Sequence, residues 1–508
     1  MWTQEGMCEL IQDRLHDYKF ILVSNREPYT HLDVGGRIEC VQPASGLAAA
    51  LDPVLRACGG TWIAYGSGSA DRKVVDSDDR VAVPPADPRY TLRRVWLDQR
   101  QEERYYYGLS NRGLWPLCHI AFTRPTFHPE DWKTYREVNG IFAQAVLEEA
   151  ADEPAFVFVQ DYHFALLPRL LKERNPNLIV AQFWHIPWPN PEVLRGFPWK
   201  EELLDGLLGN DLLGFHLRYH CQNFLDTVDR MLEARVDRER FEIARGGRTT
   251  AVRPFPISID FEEHDARAQS PATDREMERW RERLHLRDEM VGVGIDRLDY
   301  TKGICERLRA IDRFLEQYPE YRGRFVFVQV GVPTRSGIPE YKALDLEVER
   351  LVRRINRKYR RWPAGAWRPI LFLKQGFPQW QLTALHRLAN FCMVSSLHDG
   401  MNLVAKEFVA SRCDEDGVLI LSDFAGASRE LIEAIVVNPF SEEQNVEAIR
   451  QALEMPVEER RRRMRKMRAT VAENNVYRWA GKIIGALLKF EFAAVGEVRA
   501  ATSDASPF

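Results

Sequence analysis

The sequence predicts an α/β protein made of two doubly wound domains that face each other across a cleft. Short apolar runs without alternation recur along the chain, and such runs are typical of strands buried on both faces. Segments with helical spacing lie between these runs, and this alternation favours parallel sheets covered by helices. The pattern forms two series, one before about Ser258 and one after it, and 508 residues exceed the size of one ordinary core.

The predicted elements follow in chain order. Strands are predicted at Phe20–Val23, Ala155–Val159, Leu178–Phe183, Met290–Ile295, Phe325–Val332, Ile370–Leu373, Phe391–Val394 and Val418–Leu421. Helices are predicted at Asp131–Ala151, Ile304–Gln317 and Glu340–Tyr359, and within the polar stretch Glu262–Arg287. The segment Arg253–Asp260 has two prolines and little helical pattern, so it is the predicted boundary. We therefore expect an N-terminal domain at residues 1–258, a C-terminal domain at 259–480, and a final helix and tail at 481–508.

Composition narrows the class of protein. The chain has 45% hydrophobic and 28% charged residues, which fits a globular protein. Its net charge of -4 gives no indication of a general nucleic-acid or anionic-membrane binder. No run of 18 apolar residues and no signal peptide is present, so a cytoplasmic protein without a membrane partner is expected. The eight cysteines are scattered without a CxxC pair, which predicts neither a structural zinc site nor a disulfide framework.

Polar side chains follow the strands predicted for the first domain. Arg26 comes after the first strand. Gly46 follows small residues and could let backbone amides approach a phosphate, but a plain tight turn is the favoured interpretation. Asp161 follows a buried strand, at the edge where doubly wound folds bind ligands, and a helix cap is the alternative. His185 stands between an apolar strand and two prolines, where a buried, merely hydrogen-bonded histidine is the simpler interpretation.

In the second domain, basic residues lie on the loops after predicted strands, and an acidic residue lies on a helix that follows one of these loops. Arg297 and Lys302 lie between a strand and a helix, and two cations beside a helix N-terminus suit a diphosphate. Arg335 lies on another loop just past a strand. The segment 395–407 contains a strand end, an Asp399-Gly400 turn and a helix start. Glu407 on that helix is a candidate for ribose hydroxyls, or an ordinary surface acid.

Five motifs together make the chain recognisable. They are Asp161-Tyr-His, His185-Ile-Pro-Trp-Pro, Asp296-Arg-Leu-Asp-Tyr-Thr-Lys-Gly, His398-Asp-Gly-Met-Asn-Leu-Val-Ala-Lys-Glu and Leu421-Ser-Asp-Phe-Ala-Gly-Ala-Ser. In this order they resemble the trehalose-6-phosphate synthase family of retaining glycosyltransferases. The resemblance extends from about residue 20 to about residue 490. The resemblance implies a GT-B fold of two Rossmann-like domains, with a final helix that crosses back to the first domain. It also implies no metal and no bound cofactor.

The resemblance also implies roles for individual residues. The catalytic set is His185, Arg297, Lys302 and Asp399. The set that binds the nucleotide-sugar donor is Gly46, Arg297, Lys302, Asp399, Gly400, Met401, Asn402, Leu403 and Glu407. The set that binds the acceptor is Arg26, Tyr106, Trp115, Asp161 and Arg335. The implied reaction moves glucose from a nucleotide-glucose, with UDP-glucose favoured, to glucose 6-phosphate by front-face transfer. A separate phosphatase is expected to act on the product, and a homo-oligomer is left open.

Some residues depart from the family pattern and keep alternatives open. The usual Gly-Gly reads Ser45-Gly46, a common tryptophan is Tyr65, and a common arginine is His398. The stretch Arg26-Glu-Pro-Tyr resembles the sister glucosylglycerol-phosphate synthases, whose acceptor is glycerol 3-phosphate, whereas the settings of Arg335 and Met401 favour glucose 6-phosphate. GDP and ADP stay open as donor bases. A catalytically silent sugar-phosphate sensor is a third alternative, and a complete set of donor residues speaks against it.

Overall fold

The computed structural model describes residues 2–14, 18–42, 46–151, 153–359 and 367–488. The chain divides into two compact units. The N-terminal unit contains Trp2–Ile257 together with the residues from Val476 onward, and the C-terminal unit contains Ser258–Asn475. No helix of the described residues is long and apolar enough to cross a membrane.

The N-terminal unit alternates strands and helices. Its strands are β1 Lys19–Arg26, β2 Thr30–Val34, β3 Arg37–Val41, β4 Thr61–Tyr65, β5 Arg80–Val83, β6 Tyr90–Val95, β7 Ala155–Gln160, β8 Ile179–Phe183, β9 Leu212–Phe215, β10 Arg235–Asp237, β11 Glu242–Arg245 and β12 Arg248–Pro254. Its helices are α1 Gln4–Arg14, α2 Gly46–Cys58, α3 Asp71–Val74, α4 Gln99–Gln101, α5 Trp115–His119, α6 Pro129–Ala150, α7 Leu167–Arg174, α8 Pro191–Leu194, α9 Lys200–Leu207, α10 Arg218–Met231 and a final helix at 476–488. A π-helix, Glu102–Leu114, joins α4 to α5.

The main sheet of this unit has the order β10-β11-β12-β9-β8-β7-β1-β4-β6-β5. Its pairs are parallel except at the ends, where β5–β6, β10–β11 and β11–β12 are antiparallel. From β1 the chain winds outward through β4 and β6, and from β7 it winds the other way through β8 and β9. The carboxyl ends of β1 and β7 therefore form a topological switch point, the place where open α/β sheets bind ligands.

The C-terminal unit is a second, fully parallel α/β unit. Its strands are β13 Met290–Arg297, β14 Phe325–Val332, β15 Ile370–Leu373, β16 Phe391–Val394, β17 Val418–Ser422 and β18 Ile435–Val437. Its helices are α11 Phe261–Ala268, α12 Pro271–Leu284, α13 Ile304–Gln317, α14 Pro339–Lys358, α15 Gln379–Leu388, α16 Leu403–Ser411, α17 Glu442–Glu454 and α18 Val457–Glu473. A 3-10 turn, Tyr300–Lys302, precedes α13, and another, Gly426–Arg429, follows β17.

This second sheet has the order β15-β14-β13-β16-β17-β18. That is the strand order of dinucleotide-binding domains, and its switch point lies between β13 and β16. The central strands β13, β14, β16 and β17 are buried on both faces because helices cover them. Phe314, Phe325, Phe327 and Phe391 pack together with the buried faces of α13, α14 and α17. Burial of this continuous apolar core fixes the strand ends, and thereby the loops that follow them.

The predicted parallel α/β pattern is confirmed. The predicted strands at Phe325–Val332, Ile370–Leu373 and Phe391–Val394 and the predicted helix at Ile304–Gln317 match the structure residue for residue. The polar stretch predicted to hold helices contains α11 and α12. The hairpin β2–β3 and the strands β4 to β6, β9 to β12 and β18 were not predicted, because these strands are short or partly exposed.

The final helix packs on the sheet of the N-terminal unit. Trp479 Nε1 donates to the carbonyl oxygen of Phe255 at 3.2 Å. The Trp479 ring also lies 5.2 Å from the ring of Phe183 and 6.0 Å from that of Phe158, measured between centroids. These contacts join residues 476–488 to the strands β7 and β8.

Candidate active site

Two loops interlock at the switch point of the C-terminal unit. One follows β13 and the other follows β16, and the amide of Leu397 donates to the carbonyl of Thr301 at 2.7 Å. Ser395 Oγ donates to the carbonyl of Gly303 at 3.0 Å. A Cβ atom on Gly303 would lie 2.1 Å from the carbonyl oxygen of Ser395, and the φ of this residue is +62°. Only glycine fits at this crossing, so the two loops hold a fixed relative position.

Lys302 and Asp399 form an ion pair across these loops. Lys302 Nζ lies 2.5 Å from Asp399 Oδ2, and Lys302 is only 8% exposed. Ser396 Oγ and Asn402 Nδ2 each donate to the same carboxylate oxygen at 3.2 Å. The ammonium is therefore held in place, and because it carries three N–H donors it can also bind a phosphate oxygen.

The loop Asp399–Asn402 leads into the N-terminus of α16. Asn402 has a φ of +78°, and its Oδ1 caps the helix by accepting the amide of Ala405 at 3.2 Å. The segment after β17 supports the loop, since the amide of Ala427 donates to the carbonyl of Met401 at 2.9 Å. A helix N-terminus attracts anions through its amides and dipole, so this loop is suited to phosphate groups.

Glu407 lies one turn into α16, near that N-terminus. Its Oε2 is 3.4 Å from Gln379 Nε2, and the same amide nitrogen lies 3.2 Å from His264 Nε2. Glu407 is half-buried, so its carboxylate is accessible to a ligand. The position is consistent with the predicted contact to ribose hydroxyls, which stays a prediction.

Two arginines follow neighbouring strands of the same sheet. Arg297 is the last residue of β13, and Arg335 follows β14 with a φ of +48°. Arg335 Nη1 donates to Tyr341 Oη at 2.5 Å and lies 3.5 Å from Asp299 Oδ2. Burial acts to raise the pKa of Asp299, but the positive charges of Arg335, Arg297 and Lys302 outweigh it and hold that pKa below its ordinary value. Asp299 is therefore ionised between these cations.

The switch point of the N-terminal unit joins Arg26 to Tyr106. Arg26 ends β1, and its Nη2 donates to Tyr106 Oη at 2.9 Å. The ring of Tyr106 stacks on that of His163, with centroids 5.8 Å apart and planes at 11°. Tyr106 belongs to the π-helix Glu102–Leu114, a rare conformation that often marks functional sites.

Trp115 directly follows the π-helix that contains Tyr106. It is 6% exposed and packs on the rings of Tyr162 and His119, at 5.9 and 4.1 Å between centroids. Tyr162 Oη donates to Asn111 Oδ1 at 2.9 Å, and Asn111 Nδ2 donates to the carbonyl of Tyr106 at 2.7 Å. The structure therefore gives Trp115 a supporting position, and direct contact with an acceptor phosphate stays a prediction.

Asp161 and His185 follow the adjacent strands β7 and β8. Asp161 has a φ of +69°, a strain of about 1–3 kcal/mol for a residue other than glycine. Its Oδ1 accepts the amide of His185 at 3.1 Å, and its own amide donates to the carbonyl of Phe183 at 2.7 Å. His185 Nε2 lies 2.9 Å from Gln160 Oε1, and burial together with nearby His163 lowers the pKa of His185 to about 3. His185 is therefore a neutral hydrogen-bonding group near pH 7.

The remaining side chains of the Arg26-Glu-Pro-Tyr stretch point into the protein. Glu27 Oε2 accepts Arg94 Nε at 2.9 Å, and burial raises the pKa of Glu27 to about 7. Tyr29 Oη donates to the carboxylate of Asp52 on α2 at 3.1 Å. Glu27 and Tyr29 are both buried, whereas Arg26 is exposed. The stretch thus anchors the hairpin β2–β3, and Arg26 is the member that reaches the surface.

The other predicted residues are placed as follows. Gly46 is the first residue of α2, and Ser45 lies outside the described residues. Gly400 is buried, and its backbone is in close contact with Gly426: a Cβ atom on Gly426 would lie 2.1 Å from the carbonyl oxygen of Gly400. Tyr65 Oη donates to Glu102 Oε2 at 3.3 Å. Among the residues that the structure describes, no three His, Cys, Asp or Glu side chains come together as a metal site.

Sequence reasoning missed three residues of these networks. Asp299, Ser396 and Gln160 each bond a predicted site residue or its neighbour. Asp299 lies inside the Arg297–Lys302 segment, Gln160 is the last residue of β7, and Ser396 is the second residue after β16. Their proximity to predicted residues was the available signal, but their orientation depends on contacts distant in sequence.

Comparison with known proteins identifies the family. The family model described as glycosyltransferase family 20 matches residues 18–489. The chain belongs to glycosyltransferase family 20. A trehalose-6-phosphate synthase of Mycolicibacterium gilvum is 39% identical over 481 residues, covering 93% of this chain and 94% of the relative. A bifunctional trehalose-6-phosphate synthase/phosphatase of Thermoproteus tenax is also 39% identical, over 94% of this chain, and the match spans 64% of that longer protein.

Solved structures of family 20 members are similar throughout. A UDP-forming α,α-trehalose-phosphate synthase from Burkholderia xenovorans, in complex with glucose-6-phosphate, superposes with a TM-score of 0.82 at 32% identity. It covers 92% of this chain and 99% of its own. An E. coli structure bound with UDP-2-fluoro glucose has a TM-score of 0.81 at 29% identity, covering 92% and 99%. These similarities confirm both the predicted family and the predicted GT-B fold class.

Proposed function

We propose that this chain is a retaining glucosyltransferase that makes trehalose 6-phosphate from UDP-glucose and glucose 6-phosphate. The observation that carries the proposal is the fixed ion pair of Lys302 and Asp399 beside Arg297 and the N-terminus of α16, at the switch point of a dinucleotide-type sheet. The names and bound ligands of the similar synthases support the choice of substrates.

The donor side binds the diphosphate and the ribose. Arg297 and Lys302 bind the diphosphate oxygens together with the amides of the Asp399–Leu403 segment, and Glu407 accepts the ribose hydroxyls. As the bond to the leaving UDP breaks, negative charge grows on the diphosphate. Cations and amides that are already in place stabilise this charge without reorganisation, which is a large source of rate enhancement.

The acceptor side binds glucose 6-phosphate through its phosphate and its sugar. In the N-terminal unit, Arg26 and Tyr106 bind the phosphate. Trp115 and Arg335 are the other residues that we assign to the acceptor. Asp161 accepts a sugar hydroxyl. The phosphate contacts supply binding energy remote from the reacting carbon, and this energy orients the acceptor hydroxyl.

Retention follows from front-face transfer in this proposal. Asp399 already accepts Lys302, Ser396 and Asn402, and Asp161 accepts the amide of His185, so both carboxylates are committed to positioning. The leaving phosphate oxygen takes the proton of the acceptor hydroxyl as that hydroxyl attacks the same face. Neutral His185 bonds the donor sugar and steadies the charge near its anomeric carbon. No metal or cofactor takes part in this scheme.

The domain roles follow the same division. Residues 1–258 bind the acceptor, residues 259–480 bind the nucleotide-sugar, and the final helix returns to the N-terminal unit. The product is a phosphomonoester, and we assign its hydrolysis to a separate phosphatase. The Thermoproteus tenax relative, which carries both names, supports the succession of these two reactions.

A nucleotide-release assay tests the proposal. UDP-, GDP- and ADP-glucose are each combined with glucose 6-phosphate and with glycerol 3-phosphate, and the released nucleoside diphosphate is measured. We expect fast release only from UDP-glucose with glucose 6-phosphate. Release with glycerol 3-phosphate alone would assign the chain to the glucosylglycerol-phosphate branch. Binding of sugar phosphates without release in any combination would make it a sensor.

A further inference from the structure

We propose that Asp299 is a positioning residue shared by the donor and acceptor sites, which makes the geometry of one site depend on the other. The inference rests on the proposed function for the roles of Lys302 and Arg335. Asp299 touches neither substrate in the scheme above. Instead, each of its two carboxylate oxygens holds a different part of the site.

The first oxygen shapes the turn that presents Lys302. Asp299 Oδ1 accepts the amide of Thr301 at 3.0 Å and Thr301 Oγ1 at 2.9 Å. These bonds cap the 3-10 turn Tyr300–Lys302, and the amide of Lys302 closes the turn on the carbonyl of Asp299 at 3.0 Å. The direction of the Lys302 side chain toward Asp399 is therefore set by this carboxylate.

The second oxygen holds Arg335 through a short relay. Asp299 Oδ2 lies 3.5 Å from Arg335 Nη1 and accepts Tyr341 Oη at 3.3 Å, while the same Nη1 donates to Tyr341 Oη. Arg335 is 8% exposed, and its positive φ places it on a bend that leaves little freedom. Tyr341, on α14, is buried as well, so the three groups form one fixed triangle.

Burial makes this arrangement dependent on charge. Asp299 is 0% exposed, and a buried carboxylate is stable only when cations and donors surround it. Here the surrounding cations are Arg335, Arg297 and Lys302, which the proposed reaction uses. An asparagine has the same shape, but its amide can take only two orientations. In one, its N–H groups face Arg335 and Tyr341; in the other, the bonds to Thr301 are lost. A neutral isostere therefore disturbs both halves at once.

Three substitutions separate the two halves. Thr301→Val removes the hydroxyl bond to Oδ1 and is expected to raise the KM for UDP-glucose with little change for glucose 6-phosphate. Tyr341→Phe removes the relay to Arg335 and is expected to raise the KM for glucose 6-phosphate alone. Asp299→Asn is expected to raise both constants by about ten- to a hundredfold, the usual effect of losing a hydrogen bond to a charged group.

The control is Asp416→Asn. Asp416 pairs with Arg460 in the same unit, with Asp416 Oδ1 2.5 Å from Arg460 Nε. It precedes the amino end of β17, whereas the site lies at the carboxyl ends of the strands. This variant should lose at most about 1 kcal/mol of stability, because the ion pair is partly exposed. Both KM values should stay within about twofold of wild type, because Asp416 lies away from the loops that hold Lys302 and Arg335. Thermal melting of each variant shows whether the fold is intact.

Calorimetric measurement of UDP binding distinguishes failure of the proposed function from failure of the proposed role of Asp299. If wild type releases no UDP with any acceptor, the proposed function fails, but UDP affinity still reports on the Thr301 half. If wild type is active and folded Asp299→Asn keeps both KM values, the shared role of Asp299 is refuted. Should Asp299→Asn fail to fold, the single-sided effects of Thr301→Val and Tyr341→Phe decide, and two-sided or absent effects refute the role.

Discussion

Replacement of Lys302 by methionine is the most direct test of the proposal that Lys302 binds the donor diphosphate. Methionine keeps much of the apolar stem of lysine but removes the ammonium that lies 2.5 Å from Asp399. The change leaves Asp399 with the donors Ser396 and Asn402, so its carboxylate stays partly satisfied. We therefore expect a folded protein whose free energy of unfolding falls by about 1–3 kcal/mol.

The effect on turnover should be much larger than the effect on stability. Lys302 is fixed by its loop, and in the proposed scheme it binds the diphosphate on which charge develops as UDP leaves. Removal of one preorganised donor at such a position costs about a hundred- to a thousandfold in kcat, or about 2.7–4 kcal/mol of barrier. Part of the loss should also be seen as weaker binding of UDP, because the cation contacts the ground state too.

The assay is steady-state UDP release with saturating glucose 6-phosphate. Lys172→Met is the matched control, since Lys172 is also buried and its Nζ lies 2.7 Å from Asp211 Oδ2 in the N-terminal unit. That control should lose stability and keep kcat. A Lys302→Met variant that melts cooperatively and retains kcat within about threefold of wild type would refute the assignment of Lys302 to the leaving group.

Three further predictions concern the acceptor, pH and metal. Tyr106→Phe removes the hydroxyl that accepts a hydrogen bond from Arg26. It should raise the KM for glucose 6-phosphate about tenfold and leave the KM for the donor unchanged. A change in the donor KM alone would contradict the assignment of Arg26 and Tyr106 to the acceptor. Burial, with smaller contributions from His264 and Arg412, lowers the pKa of His386 to about 3, so this side chain is neutral when folded but charged in the unfolded chain below its ordinary value of about 6.5. The free energy of unfolding should therefore fall as the pH drops from 6.5 toward 3, with His386 contributing about 1.4 kcal/mol per pH unit. Chemical denaturation of wild type and His386→Leu at pH 4.5 and 6.5 measures this contribution, which the variant should lack. An unchanged pH dependence in the variant would contradict a neutral His386. Activity should survive excess EDTA, and full loss restored by a divalent cation would overturn the metal-free scheme.

Much of the fold was predictable because burial leaves a direct record in the sequence. Strands β13 to β17 appear as continuous apolar runs, and all of them except the edge strand β15 are buried along most of their length. Their positions were therefore predicted to within two residues. The hairpin β2–β3 was missed because β3 is exposed along its whole length and carries no such record. The π-helix Glu102–Leu114 was also missed, since it differs from an α-helix in hydrogen-bond spacing rather than in residue type.

The site was predictable as a set of residues but less so as a network. Arg297, Lys302 and Asp399 were identified from their loops, and the structure places Lys302 against Asp399. Arg26 was predicted beside Tyr106, and their side chains are hydrogen-bonded across 80 positions of sequence. The structural role of Glu27 and Tyr29 was not predictable, because their partners Arg94 and Asp52 are distant in sequence. Side-chain direction at a strand end depends on such contacts.

The structure of the product tests the central proposal most directly. Purified protein is incubated with UDP-glucose labelled with carbon-13 at the anomeric position and with glucose 6-phosphate, and the product is examined by NMR. A retaining synthase gives an α,α-linked disaccharide monophosphate with the label in an α-configured anomeric carbon. A β-configured product, or transfer only to glycerol 3-phosphate when that acceptor is offered, would contradict the proposed function.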